Sequence, residues 1–111
     1  MGRISKTPSP IAVRRAVREI GDNVQTWRKL RGLTQNQVAD RAGVDRKAVM
    51  RFEHGDGGVS LETALRVLHA LGVLDGVPKA VDPYETDVGR LRADEGLPRR
   101  VRPRDLRRGD G

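Results

Sequence analysis

The sequence predicts an all-α fold: a compact domain of four to five short helices, flanked by flexible basic extensions at both ends. Two observations predict it. Apolar residues recur every three or four positions through the middle of the chain, the repeat of an amphipathic helix. Each such run also carries end signals, with glycines at Gly32, Gly43 and Gly72 and hydroxyl caps at Thr34 and Ser60.

The first helix is read from Val13, Val17, Ile20, Val24, Trp27 and Leu30, and Gly32 caps its C-terminus. Thr34 starts the second. Its hydroxyl can take a backbone N–H while Gln37, three residues on, reciprocates as a capping box. Gly43 supplies the left-handed turn that ends this helix, and Asp45 is the expected N-cap of the third. The run Gly55-Asp56-Gly57-Gly58 breaks the third helix, and Ser60 opens a fourth with Ala64, Leu65, Leu68 and Leu71 on its apolar face. A fifth, from Val73 to Val77, is short and expected to end before Pro78. The expected core comprises Ile20, Val24, Trp27, Leu33, Val38, Ala39, Val44, Val49, Phe52, Leu61, Leu65, Leu68 and Leu71. A domain of about 60 residues folds alone with little margin, so dimerisation would help it.

Composition divides the chain into residues 1–12, a flexible basic arm; 13–77, the helical domain; and 78–111, a C-terminal extension punctuated by prolines and glycines. In the extension, Asp82-Pro83-Tyr84-Glu85 has an acidic cap, a proline at the first helical position and a glutamate at the third. A short helix at 83–93 is expected there, weakened by Gly89. Beyond it Arg99, Arg100, Arg102, Arg104, Arg107 and Arg108 are opposed only by Asp105. Such a run is ordinarily a solvated tail, but on DNA it would track phosphates.

Charge narrows the function classes. There are 22 Lys+Arg against 15 Asp+Glu, a formal net charge of +7, and the isoelectric point is near 11.0. A basic domain of this kind carries the electrostatic footprint of nucleic-acid binding. Only Trp27, Phe52 and Tyr84 are aromatic, too few for the stacking platforms that hold single strands. Without cysteine there are neither disulfides nor thiolate zinc sites, and His54 and His69 are too few for a metal centre. No nucleophilic triad and no phosphate-binding loop is evident, so neither an enzyme nor a cofactor is expected. The N-terminus does not read as a signal peptide and no run approaches the length of a membrane span. The expectation is a cytoplasmic, nucleoid-associated protein.

The segment Leu33–Gly55, LTQNQVADRAGVDRKAVMRFEHG, is the most informative. Ala39, Ala42 and Gly43 are small where two helices must nearly touch. Val38, Val44, Val49 and Phe52 fall toward a core, while Gln35, Arg46, Lys47 and Arg51 fall on the other side. A helix-turn-helix needs that division to place its second helix in the major groove of double-stranded DNA. The DNA-binding candidates are Gln35, Asn36, Arg46, Lys47, Met50 and Arg51. Arg46 and Lys47 occupy the first turn, from which recognition helices mainly contact bases. Gln35 and Asn36 open the second helix, where the helix dipole favours a phosphate. Arg28 and Glu53 are expected to form a partly buried ion pair tying the first helix to the third.

Taken together, RGLTQ, Ala39, Gly43, Val49 and the Glu-x-Gly of Glu53 and Gly55 resemble the lambda-repressor-like, or Cro/C1-type (XRE), helix-turn-helix family. The likeness covers about Ile20 to Val73. It implies a four- to five-helix bundle binding operator DNA as a homodimer. It also implies a backbone or base contact at Gln35, major-groove reading by Arg46, Lys47 and Arg51, and the Arg28–Glu53 pair. The chain departs from the family at Asp45, where serine or threonine is usual. The function expected is a sequence-specific, dimeric transcriptional repressor. A second alternative stays open. Tyr84, Val88, Leu91, Leu97 and Val101 are more apolar than a solubilising tail needs, and HipB-like antitoxins resemble this plan, with an extension (here residues 82–101) that engages a toxin.

Overall fold

The computed structural model describes residues 7–97 of the chain. Among them are six α-helices, one 3-10 helix and no strand. They fall into two units that divide between Asp75 and Gly76.

In the first unit, α1 (Ile11–Leu30), α2 (Gln35–Ala42), α3 (Arg46–Glu53) and α4 (Leu61–Ala70) surround one small core. Val24, Val38, Ala39, Ala42, Val49, Phe52, Val67 and Leu71 are buried, with Leu33, Val44, Ala64, Leu68 and Val73 packed around them. The helix ends follow the sequence signals. Thr34 and Gln37 form the complete capping box, with bonds of 3.0 and 2.8 Å. Ser60 Oγ accepts the Thr63 N–H at 3.1 Å. Gly43 has a φ of 72°, a left-handed conformation that a side chain would resist.

Two expected core faces differ, that of α1 by a rotation and that of α4 in part. Ile20 and Trp27 are 46% and 39% exposed, and the buried line of α1 runs through Gly21 and Val24 instead. The cause is Gly21. A Cβ there would lie 2.5 Å from the Phe52 carbonyl oxygen and 2.8 Å from that of Glu53, so α1 approaches the end of α3 backbone to backbone. With Gly21 turned inward, its neighbour Ile20 is carried about 100° away. Trp27 is left at the rim, with the Arg31 guanidinium over its ring at 5.0 Å. On α4 the buried face is Val67 and Leu71, flanked by Ala64 and Leu68. Leu61 and Leu65 were expected beside them; Leu61 is exposed, and both line an open apolar groove with His69 and Leu74.

The second unit contains α5 (Gly76–Ala80), the 3-10 helix Pro83–Glu85 and α6 (Asp87–Gly96). The expected stop before Pro78 is not seen. The proline is the third residue of α5, within the first turn, where its missing N–H breaks no helical bond. The single helix expected at 83–93 is divided. Asp82 caps the 3-10 turn through the Tyr84 N–H at 2.9 Å, then Thr86 adopts extended backbone and caps α6 through the Gly89 N–H at 2.9 Å. Gly89 permits the division, since a Cβ there would collide with the Pro83 carbonyl.

Candidate nucleic-acid interface

The left-handed Gly43 reverses the chain after α2, and α3 begins at Arg46. Asp45 has the extended backbone of an N-cap, yet its carboxylate makes no capping bond; the expectation of a side-chain cap is corrected. Val49, Phe52 and Glu53 are the buried side of α3. At 100° per residue, Lys47, Arg51 and His54 point directly away from it, and all three are exposed. Arg46 is exposed as well but lies on the flank toward α2. Met50, expected on the outward face, is half-buried because it lies about midway between the two sides.

Beneath this face a buried cluster joins three elements. Arg28 Nε donates to Glu53 Oε2 at 2.6 Å and its Nη2 to Oε1 at 3.1 Å, while Nη1 donates to the Leu33 carbonyl at 3.0 Å. The side chains are 12% and 1% exposed, so the pair is mostly out of water. The hydrogen bond to Glu53, with its charge attraction, raises the Arg28 pKa against the opposing effect of burial. Gln35 joins the cluster, its amide Nε2 donating to Glu53 Oε1 at 3.1 Å. One end of the Gln35 side chain is thereby fixed, which pins the start of α2 to the end of α3.

Gln35, Asn36, Arg46 and Lys29 line a shallow polar cleft of about 550 Å³ between the end of α1 and the starts of α2 and α3. Arg46 therefore shares a cleft with Asn36, while Lys47, Arg51 and His54 lie on the outward stripe of α3. The arginines from Arg99 to Arg108 lie outside the described residues.

Four contributors went unread in the sequence. Gly21 sets the α1–α3 approach, and its only signal is a glycine inside a helical repeat. Arg31 Nε donates to the Leu71 carbonyl at 3.0 Å, and Arg66 Nη1 to the Ala42 carbonyl at 3.2 Å, so two cations satisfy carbonyls at other helices' ends. Asp56 is the fourth. Its Oδ2 accepts from Arg51 Nε at 2.9 Å and its Oδ1 from the Gly58 N–H at 2.7 Å. Those two bonds, Arg51 first, hold its carboxyl below the usual range. The partners are five residues apart, across the helix end, beyond the spacing at which helical side chains pair.

Among the described residues no group of His, Asp and Glu is placed to hold a metal ion, and no helix is long and apolar enough to cross a membrane. Against known families, residues 24–74 match the helix-turn-helix model. A protein of Methanothermobacter thermautotrophicus, uncharacterised but named as an HTH-type transcriptional regulator, is 41% identical over 49 residues, which is 44% of this chain and 71% of that one. A provisionally named HTH-type transcriptional regulatory protein of Pyrococcus furiosus is 37% identical over 51 residues, 46% of this chain. The chain spans 16% of that relative's length. No solved structure matches. The chain belongs to the helix-turn-helix family of Cro/C1 type.

Proposed function

We propose that the chain is a sequence-specific DNA-binding transcription regulator that acts as a dimeric repressor by occupying an operator. The observation that carries this reading is the outward face of α3. Its cations are exposed on a helix whose other side is fixed to α1 by Arg28–Glu53, within the 24–74 segment that matches the family. Arg46, Lys47 and Arg51 read base edges in the major groove; arginine and lysine can do so at the O6 and N7 of guanine. Asn36 and the start of α2 take a phosphate, and the half-buried Met50 offers an apolar contact at the edge of the same face. Arg99 to Arg108 add phosphate contacts without sequence preference.

Selection from random duplexes at near-physiological salt tests the reading. A palindrome of two half-sites is the expected outcome; binding without enrichment refutes sequence-specific regulation. On the selected site, Arg46→Ala should weaken binding by about 1–3 kcal/mol and relax one base pair, whereas an equal loss on random DNA would remove its base-reading role.

One observation favours a second reading, an antitoxin that also represses its own operon. In the second unit Val81, Val88, Leu91 and Leu97 are all more than half exposed, an apolar surface that a protein partner would cover. Co-purification with a kinase-like toxin encoded beside the gene, lost on deleting residues 82–101, would establish it.

A further inference from the structure

We propose that Asp56 is a positioning residue that aims Arg51 at DNA, holding the guanidinium by one edge so that the opposite end is presented to a guanine. The inference rests on the DNA-reading function above and goes further by giving an acidic residue a part in specificity.

The geometry is a chain of short-range constraints. The Asp56 N–H donates to the Arg51 carbonyl at 3.0 Å, which folds the loop back onto the last turn of α3. Asp56 Oδ1 is held by the Gly58 N–H, and Oδ2 is thereby left facing the Arg51 Nε. Only Nε is used in this pair, so both Nη nitrogens, the two donors that span O6 and N7 of guanine, remain for a ligand. A free arginine at a helix surface must lose the freedom of several rotatable bonds when it binds a base. Here the loop has already removed much of that freedom in the unbound protein. A carboxylate at a phosphate-rich surface would otherwise oppose binding; pairing with Arg51 offsets that repulsion and converts it to orientation.

The variant Asp56→Asn separates the loop from the pair. Asparagine keeps an oxygen for the Gly58 N–H, but its amide cannot accept from Nε in the same arrangement. Binding is measured on the selected operator, on operators changed at each single base pair, and on random duplexes, with a thermal melt to verify the fold. The expected result is a melt near that of the parent and a loss of discrimination, about fivefold to tenfold, confined to one base pair. Arg51→Ala should remove discrimination at that same pair, and adding Asp56→Asn to it should change nothing more there. In the free protein, Arg51 Nε–H should exchange with solvent more slowly than Arg46 Nε–H, and Asp56→Asn should abolish the difference.

Tighter binding of Asp56→Asn to every sequence, with discrimination intact, would overturn the proposal and leave Asp56 a simple repulsive charge. Unchanged discrimination and affinity would overturn it equally. A parent protein that selects no sequence at all would overturn the DNA-reading function and this inference together, an outcome distinct from either.

Discussion

Two arginine–carboxylate pairs hold α3, and they differ in burial and in the bonds that surround them. Arg28–Glu53 has side chains 12% and 1% exposed and gathers Gln35 and the Leu33 carbonyl around it. Arg51–Asp56 has side chains 51% and 41% exposed and a single bond between the partners. Out of water, an unpaired partner cannot be resolvated, so losing one member destabilises the fold. In water the same pair adds little stability, and what it supplies is direction. Burial, more than residue type, therefore separates the ion pair that holds the helix from the one that equips it.

The comparison is broken most severely at the buried pair. Arg28→Ala should cost about 3–5 kcal/mol in urea unfolding, because it strands the Glu53 carboxylate. Replacing both residues together with apolar ones of similar volume should cost much less. Next comes Gly21→Ala. The added methyl meets two backbone carbonyls that no rotamer change can move, so a loss of about 1–3 kcal/mol is expected despite alanine's better helix propensity. An unchanged melt would show that α1 can shift without penalty.

Smaller still is Arg51→Ala, which should alter stability by no more than about 0.5 kcal/mol. A large destabilisation would make the exposed pair structural and erase the contrast. The least effect is that of pH. The Asp56 carboxyl is lowered from 3.8 by Arg51 and by the Gly58 N–H, so its contribution is fully present above that value and lost as pH falls through the lower folded one. Acid unfolding of Asp56→Asn should lack this component; identical acid limbs would show that the pair adds nothing to stability. Arg28, whose pKa is raised by its hydrogen bond to Glu53, stays charged throughout the working range and contributes no pH dependence there.

What was legible in the sequence is what local rules govern. Thr34 with Gln37, Ser60, and the glycines at 32, 43 and 72 announce helix ends, because caps and left-handed turns are decided within a few residues. Arg28 and Glu53, 25 residues apart, were paired from their places beside Trp27 and Phe52 near the ends of two helices, and the family likeness implied the same pair. The face of α1 was read about one residue out, and the reason is tertiary. Ile20 and Trp27 are more hydrophobic than Gly21, but only Gly21 lets two backbones meet. On α4, Ala64, Leu68 and Leu71 were placed on the core side, but Leu61 is exposed and the wholly buried Val67 was not among the expected core residues. Asp56 was hidden for a different reason: its partnership depends on a loop folding back over a helix end.

The backbone approach at Gly21 has a consequence for how this domain changes over generations. Side-chain packing tolerates many compromises, but main chain against main chain fixes where the end of α3 rests. The platform is thus insulated from substitutions on the helix's outer stripe. Exchanging residues 46, 47, 50, 51 and 54 for those of another reader would give the domain a new vocabulary while its posture stayed the same.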